Sequence, residues 1–214
     1  PPEEHFDIWL RPADGRIVTG SITEGTPGSP INEVERVFGA ELGEDAQFPF
    51  SAFEPGIQAL GGSLTAGMTW SFNIVSPLGQ WNGNGFNVPD ETMQLDFGPA
   101  SATTGAGYVP GFSFTGFPDG LLHDHFDFTL LPGGVGDPDA GIYLLALQFA
   151  GVNSATSYAA SDPVYLVFNL GQSEEDHDAA IEWVQGNIVP APGTFLLLTL
   201  GILSTGRQRR VARA

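Results

Sequence analysis

Four histidines are the only imidazoles in this 214-residue chain, and every one of them lies beside carboxylates. They occupy three segments, Glu3-Glu4-His5-Phe6-Asp7, His123-Asp124-His125-Phe126-Asp127 and Glu174-Glu175-Asp176-His177-Asp178. Neutral imidazole is the commonest transition-metal ligand, and neighbouring carboxylates raise its basicity and concentrate cations nearby. The pair His123-x-His125 has the most informative spacing. In an extended strand, residues i and i+2 share a face with Cα atoms about 6.5–7 Å apart, close enough for their ring nitrogens to converge on one ion. The same alternation sends Phe126, Phe128 and Leu130 to the opposite face, which is expected to enter the core, and groups Asp127 with the histidines. Near the N-terminus, Phe6, Ile8 and Leu10 alternate with His5, Asp7 and Trp9, so His5 and Asp7 form a second half-site. If these two strands are neighbours in one sheet and the segment of His177 crosses that edge, three or four imidazoles meet. That set suits Zn²⁺ with nitrogen ligands near 2.0–2.1 Å, and Asp7 and Asp127 are then expected to orient ring N–H groups from behind. A single histidine more often serves as a surface or hydrogen-bonded core residue. Two imidazoles side by side on a polar face gain little except by binding something.

Composition narrows the rest. There are 25 acidic residues, no lysine and seven arginines, for a formal charge of −18. Such a chain repels a phosphate backbone, which excludes nucleic-acid binding, and it is disfavoured at anionic membrane surfaces. The absence of cysteine removes disulfides, thiolate catalysis and thiolate metal sites, leaving His, Asp, Glu and backbone oxygen as ligands. Apolar residues make up 42% and aromatic residues 11%, too rich for an acidic disordered chain, so a packed core is expected. No His-Glu-x-x-His stretch, serine nucleophile elbow or Gly-rich phosphate loop is present, and the chain reads as a non-enzyme.

The elements that must position the histidines are short. Apolar runs bounded by Gly, Pro, Asn and Asp predict strands at 5–10, 16–22, 34–41, 69–75, 92–97, 111–115, 123–131, 141–150 and 163–170. Asp14-Gly15 has the chemistry of a tight hairpin turn joining the first two. One helix is predicted after Gly171, capped by Ser173, with Asp176 completing a capping box and acids at its positive end, running to Val184 or Gln185. On it His177, Ile181 and Val184 share the inward face. No fixed-period repeat is evident. The fold class is all-β, an antiparallel β-sandwich with one short C-terminal helix.

The ends differ in kind. The sequence opens at Pro1 without a charged-then-apolar leader, so a secretion signal is expected to have been removed already. Residues 189–214 hold an apolar run from Thr194 to Leu203, followed by Arg207, Arg209, Arg210 and Arg213. Basic residues after an apolar stretch keep that end cytoplasmic and place the preceding chain outside. This tail, with its Pro190-Ala191-Pro192 box, resembles the PEP-CTERM sorting signal of exosortase-processed bacterial proteins. The expected division is a metal-binding sandwich at 1–188 and a sorting segment at 189–214, membrane contact being limited to that segment before processing.

The body carries a second resemblance. His5-x-Asp7, Arg36-Val-Phe-Gly-Ala-Glu-Leu-Gly-Glu44, His123-x-His125-x-x-Phe128, and Ser161-Asp-Pro163 through Phe168-Asn169 to Ser173-Glu-Glu-Asp-His177 look like the zinc-uptake-regulator-repressed PEP-CTERM proteins, related to choice-of-anchor M surface domains. The resemblance implies export, expression under zinc shortage, and capture, storage or hand-over of zinc at the cell surface, beside a metal-uptake transporter or its binding protein. It also implies His5, His123, His125 and His177 as the zinc ligands.

Three other readings stay open. Asn82-Gly-Asn84-Gly, Asp90-Glu91 and Asp137-Pro-Asp139-Ala-Gly141, beside Trp70, Trp81 and Tyr108, suit a calcium- or carbohydrate-binding sandwich, although none has EF-hand spacing. A zinc hydrolase would use three histidines and an open water position. In a purely structural matrix protein the histidines are incidental.

Overall fold

The structure is a computed structural model that describes residues 6–23, 30–60, 68–115, 121–152 and 157–189. His5 and the proposed sorting segment from Pro190 onward lie outside the described residues. In chain order the elements are β1 (Phe6–Ala13), β2 (Arg16–Thr23), β3 (Ile31–Asn32), β4 (Val37–Glu41), β5 (Ser51–Ala52), β6 (Ile57–Ala59), β7 (Thr69–Ile74), β8 (Gly79–Trp81) and β9 (Phe86–Asn87). They continue with β10 (Thr92–Phe97), β11 (Ala100–Thr103), β12 (Val109–Thr115), β13 (Leu122–Asp124), β14 (Asp127–Leu131), β15 (Gly141–Val152), β16 (Ser157–Tyr158), β17 (Val164–Leu170) and α1 (Glu174–Asn187).

Hydrogen bonding arranges the strands in three sheets: β13-β6-β1-β2-β3, β11-β10-β14-β5, and a large one built on β12-β7-β15-β17-β4. The β1–β2 hairpin closes on Asp14-Gly15, with Ala13 opposite Arg16 and both turn residues at positive φ (49° and 77°), the backbone that an Asp-Gly pair adopts with least strain. Ile8, Leu10 and Ile17 of the first sheet meet Leu95, Phe128 and Leu130 of the second and Phe72, Leu145 and Phe168 of the third in one apolar core. The described residues form an all-β fold with one short helix, as the sequence predicts. Two pairings are parallel, β1 with β6 and β4 with β17. Parallel partners need a crossover connection, which strand alternation does not reveal.

β15 explains its own apolar run by being covered on both sides. Tyr143, Leu145, Leu147 and Phe149 enter the core, while Ile142 and Leu144 turn the other way and pack under Ala180 and Val184 of α1. The helix starts where predicted: Ser173 Oγ accepts from the Asp176 backbone N–H at 3.2 Å. In place of a full capping box, the Ser173 hydroxyl donates to Asp176 Oδ2 at 2.7 Å. The helix runs on to Asn187, past the expected end at Val184 or Gln185.

Candidate metal centre

The candidate site is built on one face of the five-stranded sheet, and register explains it. Trp9, Gln58 and His123 are direct partners across β1, β6 and β13. One step along the ladder, Ile8 pairs with Ile57 and Ile57 with Asp124, and the Ile8 N–H donates to Gly56 O at 2.9 Å. Two residues back from the first row on the same face come Asp7, Gly56 and His125. The middle position of that second row is therefore a glycine. A Cβ on Gly56 would lie 2.6 Å from Asp7 Oδ1 and 2.7 Å from His125 Cε1, so Asp7 and His125 approach each other through space that any other residue would fill.

The resulting donor set is compact. His123 Nε2 lies 3.3 Å from His125 Nε2 and 3.2 Å from Asp7 Oδ2, and one ligand atom from each of the three residues falls within 4.8 Å of the others. Around a tetrahedral Zn²⁺ with bonds of about 2.0–2.1 Å, neighbouring ligand atoms are separated by about 3.3–3.4 Å. The two observed separations are close to that edge length. The ring states fit as well. His125 Nδ1 is 3.0 Å from the Phe53 carbonyl oxygen, which only accepts, so Nδ1 carries the hydrogen and Nε2 directs a lone pair at the cluster. Glu54 Oε1 stands 3.4 Å from the same Nδ1, an acid behind the ring of the kind that fixes a metal-bound imidazole. His123 Nε2 thus faces two acceptors, and one N–H cannot serve both, whereas a cation at the centre would satisfy all three groups. The donor set present fits a transition-metal ion.

Burial and charge shape the site. Asp7 is fully buried (0% exposed), while the His123 and His125 side chains keep 35% and 31% of their surface, so the carboxylate forms the floor and the rings the mouth. A buried carboxylate has to be paired, and the His123 imidazole, 3.2 Å away, is one partner that offsets its desolvation. Asp124 adds a further acid nearby. Burial pushes its carboxyl above the usual range, while His123 and His125 pull it back.

The structure revises several expectations. The segment 123–131 is not one strand: β13 ends at Asp124 and β14 begins at Asp127 in a different sheet, so the chain changes sheets at His125-Phe126. Phe126 anchors that crossing, 1% exposed and packed against the rings of Phe72, Phe112 and Phe114. Asp127 consequently leaves the histidine face. It is exposed on β14 opposite Asp96 and orients neither ring. Asp7 lies among the ligand atoms rather than behind them. β1 and β13 share a sheet, but β6, a strand that apolar runs do not predict, separates them.

His177 is not brought to this cluster. It sits on α1, only 5% exposed, with Nε2 2.9 Å from Val167 O on β17 and Nδ1 3.0 Å from Glu41 Oε1 at the end of β4. Burial by itself lowers its pKa, but the hydrogen bonds to Glu41 and Val167 and the charges of Glu41 and Glu174 outweigh it and hold the imidazole above its ordinary value. Glu41, Glu174 and His177 form a second group whose ligand atoms lie within 4.8 Å of one another. Glu174 is three residues before His177 on the helix, a spacing visible in the sequence but not read as a pair. Glu41 is contributed by the parallel pairing of β4 with β17, which had no local signal.

The oxygen-rich turns carry hydrogen bonds within and between them. Asn82 Oδ1 accepts from the Asn84 N–H at 3.0 Å, and Glu91 Oε1 accepts from the Asp139 N–H at 3.3 Å. Among the described residues, Asp90, Glu91, Asp137 and Asp139 are in neither of the two His/Asp/Glu groups whose ligand atoms converge. Comparison with protein-family models, curated proteins and solved structures returns no match for this chain.

Proposed function

We propose that this chain is an exported or surface-attached zinc-binding protein that captures, stores or hands over zinc when zinc is scarce. The reading is carried by one observation: His123 Nε2 stands 3.3 Å from His125 Nε2 and 3.2 Å from Asp7 Oδ2, separations near those of ligands on one tetrahedral ion. Two imidazoles and one carboxylate form a nitrogen-rich set that zinc accepts readily and calcium, which takes six to eight oxygens, does not. The partly open mouth supports an exchangeable ion rather than a sealed structural one. The formal charge of −18 supports cation collection. Export, zinc-responsive expression and a metal-uptake transporter or its binding protein as partner rest on the family resemblance and on the PEP-CTERM-like tail.

The test is calorimetric titration of the chain with Zn²⁺ and with Ca²⁺, repeated on His123→Ala/His125→Ala. Zinc binding of micromolar or tighter affinity that the double variant loses is the expected result. Calcium binding that survives the double variant, with no zinc event in either protein, would instead favour the oxygen-liganded sandwich.

A further inference from the structure

A groove of about 1050 Å³ runs between the N-terminal half of α1, β4 and the edge of the five-stranded sheet. Its walls carry the carboxylates Glu35, Glu41, Glu44, Glu54, Glu174 and Asp178, and no arginine is among the described residues that line it. A concave surface of one charge sign focuses the field and draws cations in. His177 is set into the wall. The Val167 carbonyl takes the hydrogen on Nε2, so the ring of a neutral His177 presents a lone pair from Nδ1 to Glu41 Oε1 at 3.0 Å. Two acceptors at that distance need a positive centre between them, and only a proton or a metal ion supplies one. β4 makes room for the ring: a Cβ on Gly39 would lie 3.3 Å from His177 Cε1 and 2.9 Å from Ile181 Cδ1. The Glu174 carboxylate closes the third side of the group.

We propose that Glu41, Glu174 and His177 form a second divalent-metal site in the wall of this groove, separate from the His123/His125/Asp7 centre and filled independently of it. One imidazole and two carboxylates suit a borderline cation such as Zn²⁺, for which Cd²⁺ is a spectroscopic substitute, bound less tightly than at the nitrogen-richer centre. Glu54 lines the same groove, and its Oε1 lies 3.4 Å from His125 Nδ1, on the side of that ring away from the first cluster.

The test is ¹¹³Cd NMR of the whole chain with excess cadmium, together with Zn²⁺ titration of the same proteins. Two cadmium resonances are expected. The one from the more oxygen-rich environment disappears in His177→Gln, and the other disappears in His123→Gln/His125→Gln. In the zinc titration, His177→Gln removes the weaker of two binding events. Should His177→Gln fold poorly, Glu174→Gln at the exposed first turn of α1 is expected to weaken the same event about tenfold while the other stays fixed. A single resonance that only the His123→Gln/His125→Gln change abolishes would overturn the second site, leave the first intact and identify His177–Glu41 as a protonated ion pair. A single resonance lost only in His177→Gln would instead sink the first site and sustain the second.

Discussion

Gly56 offers the sharpest perturbation of the candidate centre because it is not itself a ligand. A methyl group there would stand 2.6 Å from Asp7 Oδ1, 2.7 Å from His125 Cε1 and 3.0 Å from His125 Nδ1. Ordinary contact begins near 3.4 Å, so Gly56→Ala has to push Asp7 and His125 apart by roughly 0.5–1 Å. That opens a donor triangle whose edges are now 3.2 and 3.3 Å. Displacing groups that orient metal ligands typically costs about 10–100-fold in affinity. Overpacking also costs about 1–3 kcal/mol of stability, against the fraction of a kilocalorie that replacing glycine often contributes. The two effects separate in a thermal melt with and without zinc. At a free zinc concentration 100 times the wild-type Kd, binding stabilises the wild type by about 2.7 kcal/mol, or roughly 5–10 °C in a domain of this size. With Kd raised 10–100-fold, the same zinc gives about 1.4 down to 0.4 kcal/mol, or roughly 6 down to 1 °C. Gly134→Ala, whose Cβ would meet nothing within 4 Å, serves as the control and keeps the full zinc shift. A Gly56→Ala protein that folds and keeps the full shift would refute the idea that Asp7 and His125 meet over this glycine to hold the ion.

Two further outcomes follow from the packing. In chelator-treated protein, the raised pKa of His177 means that its charged contacts contribute fully below about pH 6.5 and are lost as pH climbs through the higher folded value. The stability gap between wild type and His177→Gln, read from urea midpoints, should therefore shrink as pH rises above 6.5, and a gap that widens would contradict the assignment. Phe126→Ala removes a fully buried ring at the sheet crossing, so unfolding free energy should drop by about 3–5 kcal/mol and zinc affinity should fall with it, because His125 loses its anchor. Urea melts and zinc titration of the same variant check both; a stable variant with intact zinc binding would show that the crossing does not position His125.

How much of this was legible in the sequence depended on whether the signal was local. The Asp14-Gly15 hairpin and the Ser173-capped helix announce themselves within a few residues, because turn and cap chemistry act over that distance. His123 and His125 were readable as a pair on one face because i and i+2 always are. Asp7 was legible as a neighbour that orients a ring, but not as a member of the donor set itself. Asp7 reaches His125 only because β6, a three-residue strand too short to show a period, inserts between β1 and β13 with Gly56 at the crossing point. The run 123–131 looks continuous because its apolar residues alternate straight through a change of sheet, and nothing in alternation marks where hydrogen-bonding partners switch. His177 was correctly placed on the inward face of α1. Which sheet that face covers is decided by Ile142, Leu144 and Val167, far away in the chain, and they carry it to Glu41 instead of to the other histidines.

The central claim, that one zinc ion is gripped jointly by His123, His125 and Asp7, is tested most directly by zinc K-edge X-ray absorption of the chain carrying one equivalent of Zn²⁺. Nitrogen and oxygen neighbours near 2.0–2.1 Å are expected, with the outer-shell scattering of two imidazoles. In a His177→Gln background, where displaced zinc finds no imidazole beside Glu41 and Glu174, that contribution should diminish in His123→Gln and again in His123→Gln/His125→Gln. A spectrum of oxygen ligands alone, or one that the two substitutions leave unchanged, would contradict it.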